Sequence, residues 1–342
     1  MTVSENNVNL EYYYLLPGFS TDSKGRRTGK PDFFNYDVLY FFDLNEKDGY
    51  VVTIEKVSFS KFRLLEKLQF IDDLQSEFIY DRDPFYLSIS FDRMAEQMAE
   101  DYSNYYKNLC DKIMKRFLLS LFLVHPELDL MDPIDYVVYK LTGSNPGYLV
   151  SRYLGLFGRE AYYIRKDQYV SLRDIETNIY SVYKVLETLE DRLPEYLSAA
   201  LSIFVDSYKV HSITTKALYL LSIIELLFDE SRFNISEIKM PDSNGRMVVA
   251  NFSDVRNNLA HGREVSSNIL SGLLELCQIL FFDSLAYLCM DTDFSETIKN
   301  DIRKACSEQV VKYTNQNNYL FDRLRPGISN LGITPKFQNE LQ

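Results

Sequence analysis

The chain has 342 residues, with 49 acidic against 37 basic side chains and a formal net charge of -12. That balance argues against a protein that coats nucleic acid through diffuse positive charge. At 46% hydrophobic and 25% charged residues it is a globular composition with a sizeable core, and its length suits about two domains.

Cys110, Cys277, Cys289 and Cys306 are far apart and form no C-x-x-C pair. Neither a zinc ribbon nor a dithiol redox motif is expected, and reduced thiols in a cytoplasm are the simplest reading. The N-terminus has no basic region followed by an apolar stretch, so no secretory signal is expected. The apolar runs Phe117–Val124 and Leu218–Phe228 fall short of the roughly 20 residues a membrane span needs.

In chain order, the first ninety or so residues carry aromatic and β-branched runs separated by turn signals. Tyr36–Leu44 and Tyr50–Phe59 flank a loop containing Asp48-Gly49, which predicts a hairpin. Phe85–Phe91 alternates apolar with small polar residues, as a half-buried strand does. Lys24–Lys30 is a basic, glycine-bearing loop with no role assigned to it. From about Arg93 the pattern turns helical, with Tyr105, Leu109, Ile113, Phe117 and Phe122 spaced near one helical turn and a stop at His125-Pro126. Asp132-Pro133 then predicts a further helix, opened by an N-cap and an N1 proline. After the turn at Gly143–Gly147 an apolar segment runs to Phe157.

Four helices are predicted between Leu172 and Met290. They cover about Leu172–Arg192 with a stop at Pro194, Glu195–Tyr208, a third starting near Ser212 or Thr214 and running to Phe228, and Ser267–Met290 with Ser266 or Ser267 as N-cap. A looser stretch through Asn234 and Pro241 to Gly245 follows the third. The expected class is α+β: a β-containing N-terminal domain (1–92), a helical connector (93–170), an all-α bundle (171–306) and a polar C-terminal extension (307–342).

Between the last two helices lies Phe252-Ser253-Asp254-Val255-Arg256-Asn257-Asn258-Leu259-Ala260-His261-Gly262. Ser253 or Asp254 suits a helix N-cap, and Gly262 suits the left-handed residue that ends a helix. His261 then sits at a C-terminus, whose partial negative charge favours a protonated imidazole. Arg256 precedes His261 by five positions, about 140° of rotation on a regular helix. The two meet either through the reach of the guanidinium or across a two-fold axis with a second copy. Asn257, four residues before His261, lies on its side of the helix. Glu225, set among Ile223, Ile224, Leu226 and Leu227, needs a partner, and Arg256 is a candidate.

The helix pattern A-L-x-x-x-x-x-I-E-L-L-F at Ala217–Phe228, taken with D-V-R-N-N-L-A-H-G at Asp254–Gly262, resembles the HEPN superfamily, specifically its ApeA-like branch. The resemblance covers about residues 199–290 and implies a helical homodimer with a metal-independent endoribonuclease site at its interface, in a toxin or antiphage setting. Arg256 and His261 match the arginine and histidine of the R-x(4-6)-H motif, and Asn257 matches the polar residue that follows the arginine. Glu225 and Asn258 are expected to support these from behind. RNA brings its own nucleophile, the 2′-hydroxyl, so the site needs a proton-transfer group and a phosphate clamp and no cofactor. Three histidines in the chain, His125, His211 and His261, do not suggest a multi-histidine metal site. The expected partners are RNA and a second copy of the chain, without a membrane and without bulk DNA binding. The competing expectation is a non-catalytic dimerisation or partner-binding module in which the R-N-x-x-x-H segment is structural.

Overall fold

The computed structural model describes residues 7–16, 38–45, 50–56, 85–95, 99–126, 134–141, 148–153, 175–210, 212–227, 238–241, 247–250, 252–263, 267–290 and 324–334. The protein is α+β. Its chain divides into two units, one made of residues 1–115 and 129–175, the other of residues 116–128 and 176–342.

The first unit is built on a six-stranded sheet of β1 (Asn7–Leu16), β2 (Val38–Asn45), β3 (Tyr50–Lys56), β4 (Phe85–Ala95), β5 (Ile134–Leu141) and β6 (Tyr148–Tyr153), in the order β2-β3-β4-β1-β5-β6. Every neighbouring pair is antiparallel. The register follows from the alternation along β3 and β4. Tyr50, Val52 and Ile54 stand directly opposite Phe91, Ile89 and Leu87, and all six are buried. A slip of one residue would turn this apolar ladder to the other face, so burial holds the pairing in place.

The hairpin expected around Asp48-Gly49 is the pair β2 and β3. Two sequence expectations are corrected. Asp132-Pro133 precedes a strand and not a helix, because Ile-Asp-Tyr-Val-Val-Tyr-Lys-Leu is rich in β-branched and aromatic residues and proline is as well tolerated at a strand start as at a helix start. The stretch expected as a helical connector therefore supplies β5 and β6 to the sheet, alongside helix α1 (Ala99–Val124). On α1, Ile113, Phe117 and Phe122 are buried as their spacing implies, whereas Tyr105 is exposed. The basic loop at 24–30 lies outside the described residues.

The second unit takes in the end of α1 and the helices α2 (Tyr180–Leu189), α3 (Glu195–Ser207), α4 (Ile213–Leu227), α5 (Phe252–Ala260), α6 (Ser267–Met290) and α7 (Arg325–Asn330). A π turn at Ile175–Ile179 leads into α2, and Pro194 sits immediately before α3. Ser212 caps α4: its Oγ accepts the Thr215 N–H at 3.3 Å. The stretch expected to be loose between α4 and α5 holds a short antiparallel hairpin, β7 (Ile238–Pro241) and β8 (Met247–Ala250).

Helix α6 is the axis of this unit. Its stretch Gly272–Met290 is long and apolar enough to cross a membrane, but 67% of it is buried inside the protein, as befits a core helix. Helices α2, α4 and α7 and strand β7 all pack on it. Phe281 meets Phe204 of α3 with ring centroids 5.2 Å apart. Gln278, buried in the same helix, donates from Nε2 to the Leu123 carbonyl left over at the end of α1. Arg116 ties α1 to α2, donating to Glu187 at 3.3 Å and to Glu190 at 2.6 Å. Burial alone would lower the pKa of this guanidinium, but Tyr183 and Glu190, with Glu187 behind them, outweigh it and raise it.

Helix α7 falls within the part of the chain expected to be a polar extension. It docks where Gly327 meets α6 so closely that a Cβ there would lie 2.6 Å from Cys289 Cβ. Asn330 Nδ2 donates to the Cys289 carbonyl at 2.6 Å, satisfying one of the open acceptors at the end of α6. Gly327→Ala must push α7 off α6, and overpacking of this kind costs about 1–3 kcal/mol. A lowered urea midpoint for this variant, with Pro326→Ala as the control at an exposed position, checks it.

Candidate active site

Two apolar residues set the orientation of α5. Val255 and Leu259 are one turn apart and buried, and α5 packs on α4. With that stripe turned inward, Arg256 and Asn257 are left on the exposed side and Asn258 at its margin. The helix starts at Phe252, which puts Ser253 and Asp254 at its second and third positions.

The helix ends in a two-bond C-cap. The Gly262 N–H donates to the Leu259 carbonyl at 3.0 Å and the Arg263 N–H to the Asn258 carbonyl at 2.9 Å. This requires the left-handed φ of 68° at Gly262, the one residue type for which that conformation is free of a Cβ clash. His261 is the residue just before it, exposed, with its own N–H bonded to the Asn257 carbonyl at 3.0 Å. His261 is therefore exposed to solvent on a hydrogen-bonded turn of backbone.

Glu225, near the end of α4, meets Arg256 as expected: Arg256 Nε lies 3.0 Å from Glu225 Oε1. The environment differs from the apolar one implied by its sequence neighbours. Ile223, Ile224 and Leu227 are buried, but the Glu225 side chain is 29% exposed and that of Arg256 56%. A pair this open to water contributes about 0.2–1 kcal/mol, so its main effect is geometric. Contact through Nε fixes one edge of the planar guanidinium and leaves the two terminal nitrogens on its outer edge for an oxyanion.

Asn258, expected to support Arg256, has another partner. Its Oδ1 accepts from Nη1 of Arg263 at 3.0 Å. From the sequence, Arg263 flanks the segment and could add local positive charge, with a solvated arginine as the simpler reading; no partner for it was expected, and the αL glycine before it was the available signal that the chain doubles back. The structure thus joins Glu225 to Arg256 and Asn258 to Arg263, with Asn257 and His261 exposed on the same short helix and cap. His125 is at the end of α1, half-buried, and His211 lies outside the described residues.

Cys306 lies outside the described residues. The Cys110, Cys277 and Cys289 thiols are buried, and burial pushes each of them up, Cys289 to about 12. None is a ready thiolate near neutral pH. Among the described residues no three His, Cys, Asp or Glu side chains converge as a metal site would need.

Comparisons of the chain with protein-family models, with characterised proteins and with solved structures give no match.

Two outcomes follow from this geometry. Gly262→Ala meets no steric neighbour but must adopt φ 68°, at a cost of about 1–2 kcal/mol visible as a lower melting temperature. A double-mutant cycle of Glu225→Gln and Arg256→Ala should give a coupling below about 1 kcal/mol in denaturant unfolding, because both groups are water-exposed.

Proposed function

We propose that this protein is a metal-independent endoribonuclease of HEPN type, working as a homodimer through its helical domain in a toxin or antiphage role. The observation that carries the reading is a guanidinium, Arg256, held through one edge by Glu225, on the same nine-residue helix whose C-cap delivers His261 to solvent. A histidine that merely filled a core would be buried.

In this mechanism the 2′-oxygen of the ribose attacks the adjacent phosphorus while His261 takes its proton. The bond from phosphorus to the 5′-oxygen breaks, and an imidazolium returns a proton to that leaving oxygen. The products are a 2′,3′-cyclic phosphate and a 5′-hydroxyl. Arg256 pairs with the non-bridging oxygens, where charge rises most in the phosphorane. Asn257 supplies a neutral amide donor beside it. One imidazole cannot be both base and acid at the same instant, and the rotation of about 140° between Arg256 and His261 keeps them off one face. A second copy related by a two-fold axis meets both needs.

A non-catalytic interaction module is the second reading, favoured by apolar exposure on α4. Leu218 is 39% exposed and Tyr219 37%, on the helix that also carries Glu225. Such a face serves a binding module as well as it serves a catalytic dimer.

Purified protein incubated with single-stranded RNA and EDTA should generate fragments ending in 2′,3′-cyclic phosphate. His261→Ala should lower the rate by at least about 10²-fold, the range for loss of a general acid or base, with unchanged melting temperature. No cleavage by the wild type in any RNA pool, or full activity of His261→Ala, overturns the reading in favour of the interaction module.

A further inference from the structure

We propose that Arg263 is a second phosphate-binding residue of this site, gripping the RNA backbone next to the phosphate held at Arg256, and that Asn258 is the positioning residue that aims it. The inference rests on the ribonuclease reading and extends it to how the strand is held.

The chain reverses at Gly262, and the bond from the Arg263 N–H to the Asn258 carbonyl brings residue 263 back beside the last turn of α5. The side chain then makes the same return: Nη1 donates to Asn258 Oδ1 at 3.0 Å. Backbone and side chain thus anchor Arg263 to one residue twice, which limits the rotamer freedom a surface arginine otherwise keeps. His261 lies between the two cations in sequence, with Arg256 on one side and Arg263 on the other, and 261, 262 and 263 are all exposed. A Cβ built on Gly262 meets no described atom within 4 Å beyond its chain neighbours, so the turn itself is uncrowded.

The parallel with Arg256 is chemical. Each guanidinium has one contact to a side-chain oxygen, Glu225 Oε1 for Arg256 and Asn258 Oδ1 for Arg263. Each keeps further N–H donors for a phosphate. The partners differ in charge. Glu225 neutralises part of the field of Arg256, whereas the Asn258 amide leaves the positive charge of Arg263 whole. In a chain with net charge -12, a cation fixed by a neutral partner is suited to attracting a polyanion locally. A backbone contact of this kind carries no base information, so Arg263 serves affinity and register and not sequence choice.

The test uses the full chain and a fluorescein-labelled single-stranded 2′-O-methyl oligoribonucleotide, which lacks the free 2′-hydroxyl and cannot be cut. Arg263→Ala should weaken binding about tenfold, equally for uridine-rich and adenine-rich probes, and reduce the slope of log K against log salt by about 0.7. Arg263→Lys should keep that slope. Asn258→Ala, which frees the guanidinium but retains its charge, should weaken binding less and leave the slope unchanged. If Arg263→Ala binds with the wild-type affinity and slope while the wild type cleaves RNA, this inference falls and the ribonuclease reading stands. If the wild type neither binds the probe nor cleaves RNA, both fall.

Discussion

The burial of helix α6 is the constraint on which the second unit depends. Its apolar residues occupy most of the helix circumference, with Leu273, Leu276, Cys277, Leu280, Phe281, Phe282, Leu285 and Leu288 all buried, so no single partner can cover it. Helices α2 and α4, strand β7 and, at its far end, α7 close around it. At the usual 25 cal/mol per Å² of apolar surface removed from water, each such Leu or Phe side chain contributes about 1.5–3 kcal/mol. The polar groups inside are consistent with that order: Gln278 completes the end of α1, and the thiol of Cys277 lies 3.6 Å from the Leu220 carbonyl.

The candidate site is a product of this packing at one remove. With α4 seated on α6, one side of α4 remains to receive α5, and only two residues of α5 are needed to seat it. Val255 and Leu259 turn inward; Arg256, Asn257 and His261 are thereby turned outward. The ion pair and the C-cap then refine what the apolar stripe has oriented. The ion pair, unlike the C-cap, contributes little stability, since Glu225 and Arg256 both reach water. Their role is to restrict where two guanidinium groups and one imidazole can be, and the proposed phosphate chemistry depends on that restriction.

Much of the helical unit was legible in the chain because its signals are local. Pro194, Ser212 and Gly262 mark helix ends through ring geometry, a capping hydroxyl and a tolerated positive φ, and the boundaries at Glu195, Ile213 and Ala260 follow from them. The sheet was less legible. The aromatic run Tyr12-Tyr13-Tyr14 in β1 has no alternation to announce a strand, yet β1 pairs with both β4 and β5. Asp132-Pro133 fits the start of a helix and of a strand equally well, and only the pairing of β5 with β1 chooses between them.

At the site, the sequence alone determined the conformation of α5 and its cap, because helix periodicity and a left-handed glycine act within a few residues. It also set a net charge of -12, which argues against binding nucleic acid through diffuse positive charge. The tertiary structure decided the partners. Glu225 lies 31 residues before Arg256, and its distance from water depends on how α4 sits on α6; the local run of leucines and isoleucines implied a buried carboxylate, and the fold left it partly exposed. Asn258 was expected to support Arg256, but the reversed backbone after Gly262 brought Arg263 within 3.0 Å of it instead. Covalent neighbours set the shape of each segment, but charge pairing depends on distances through space, and those exist only once the apolar faces have met.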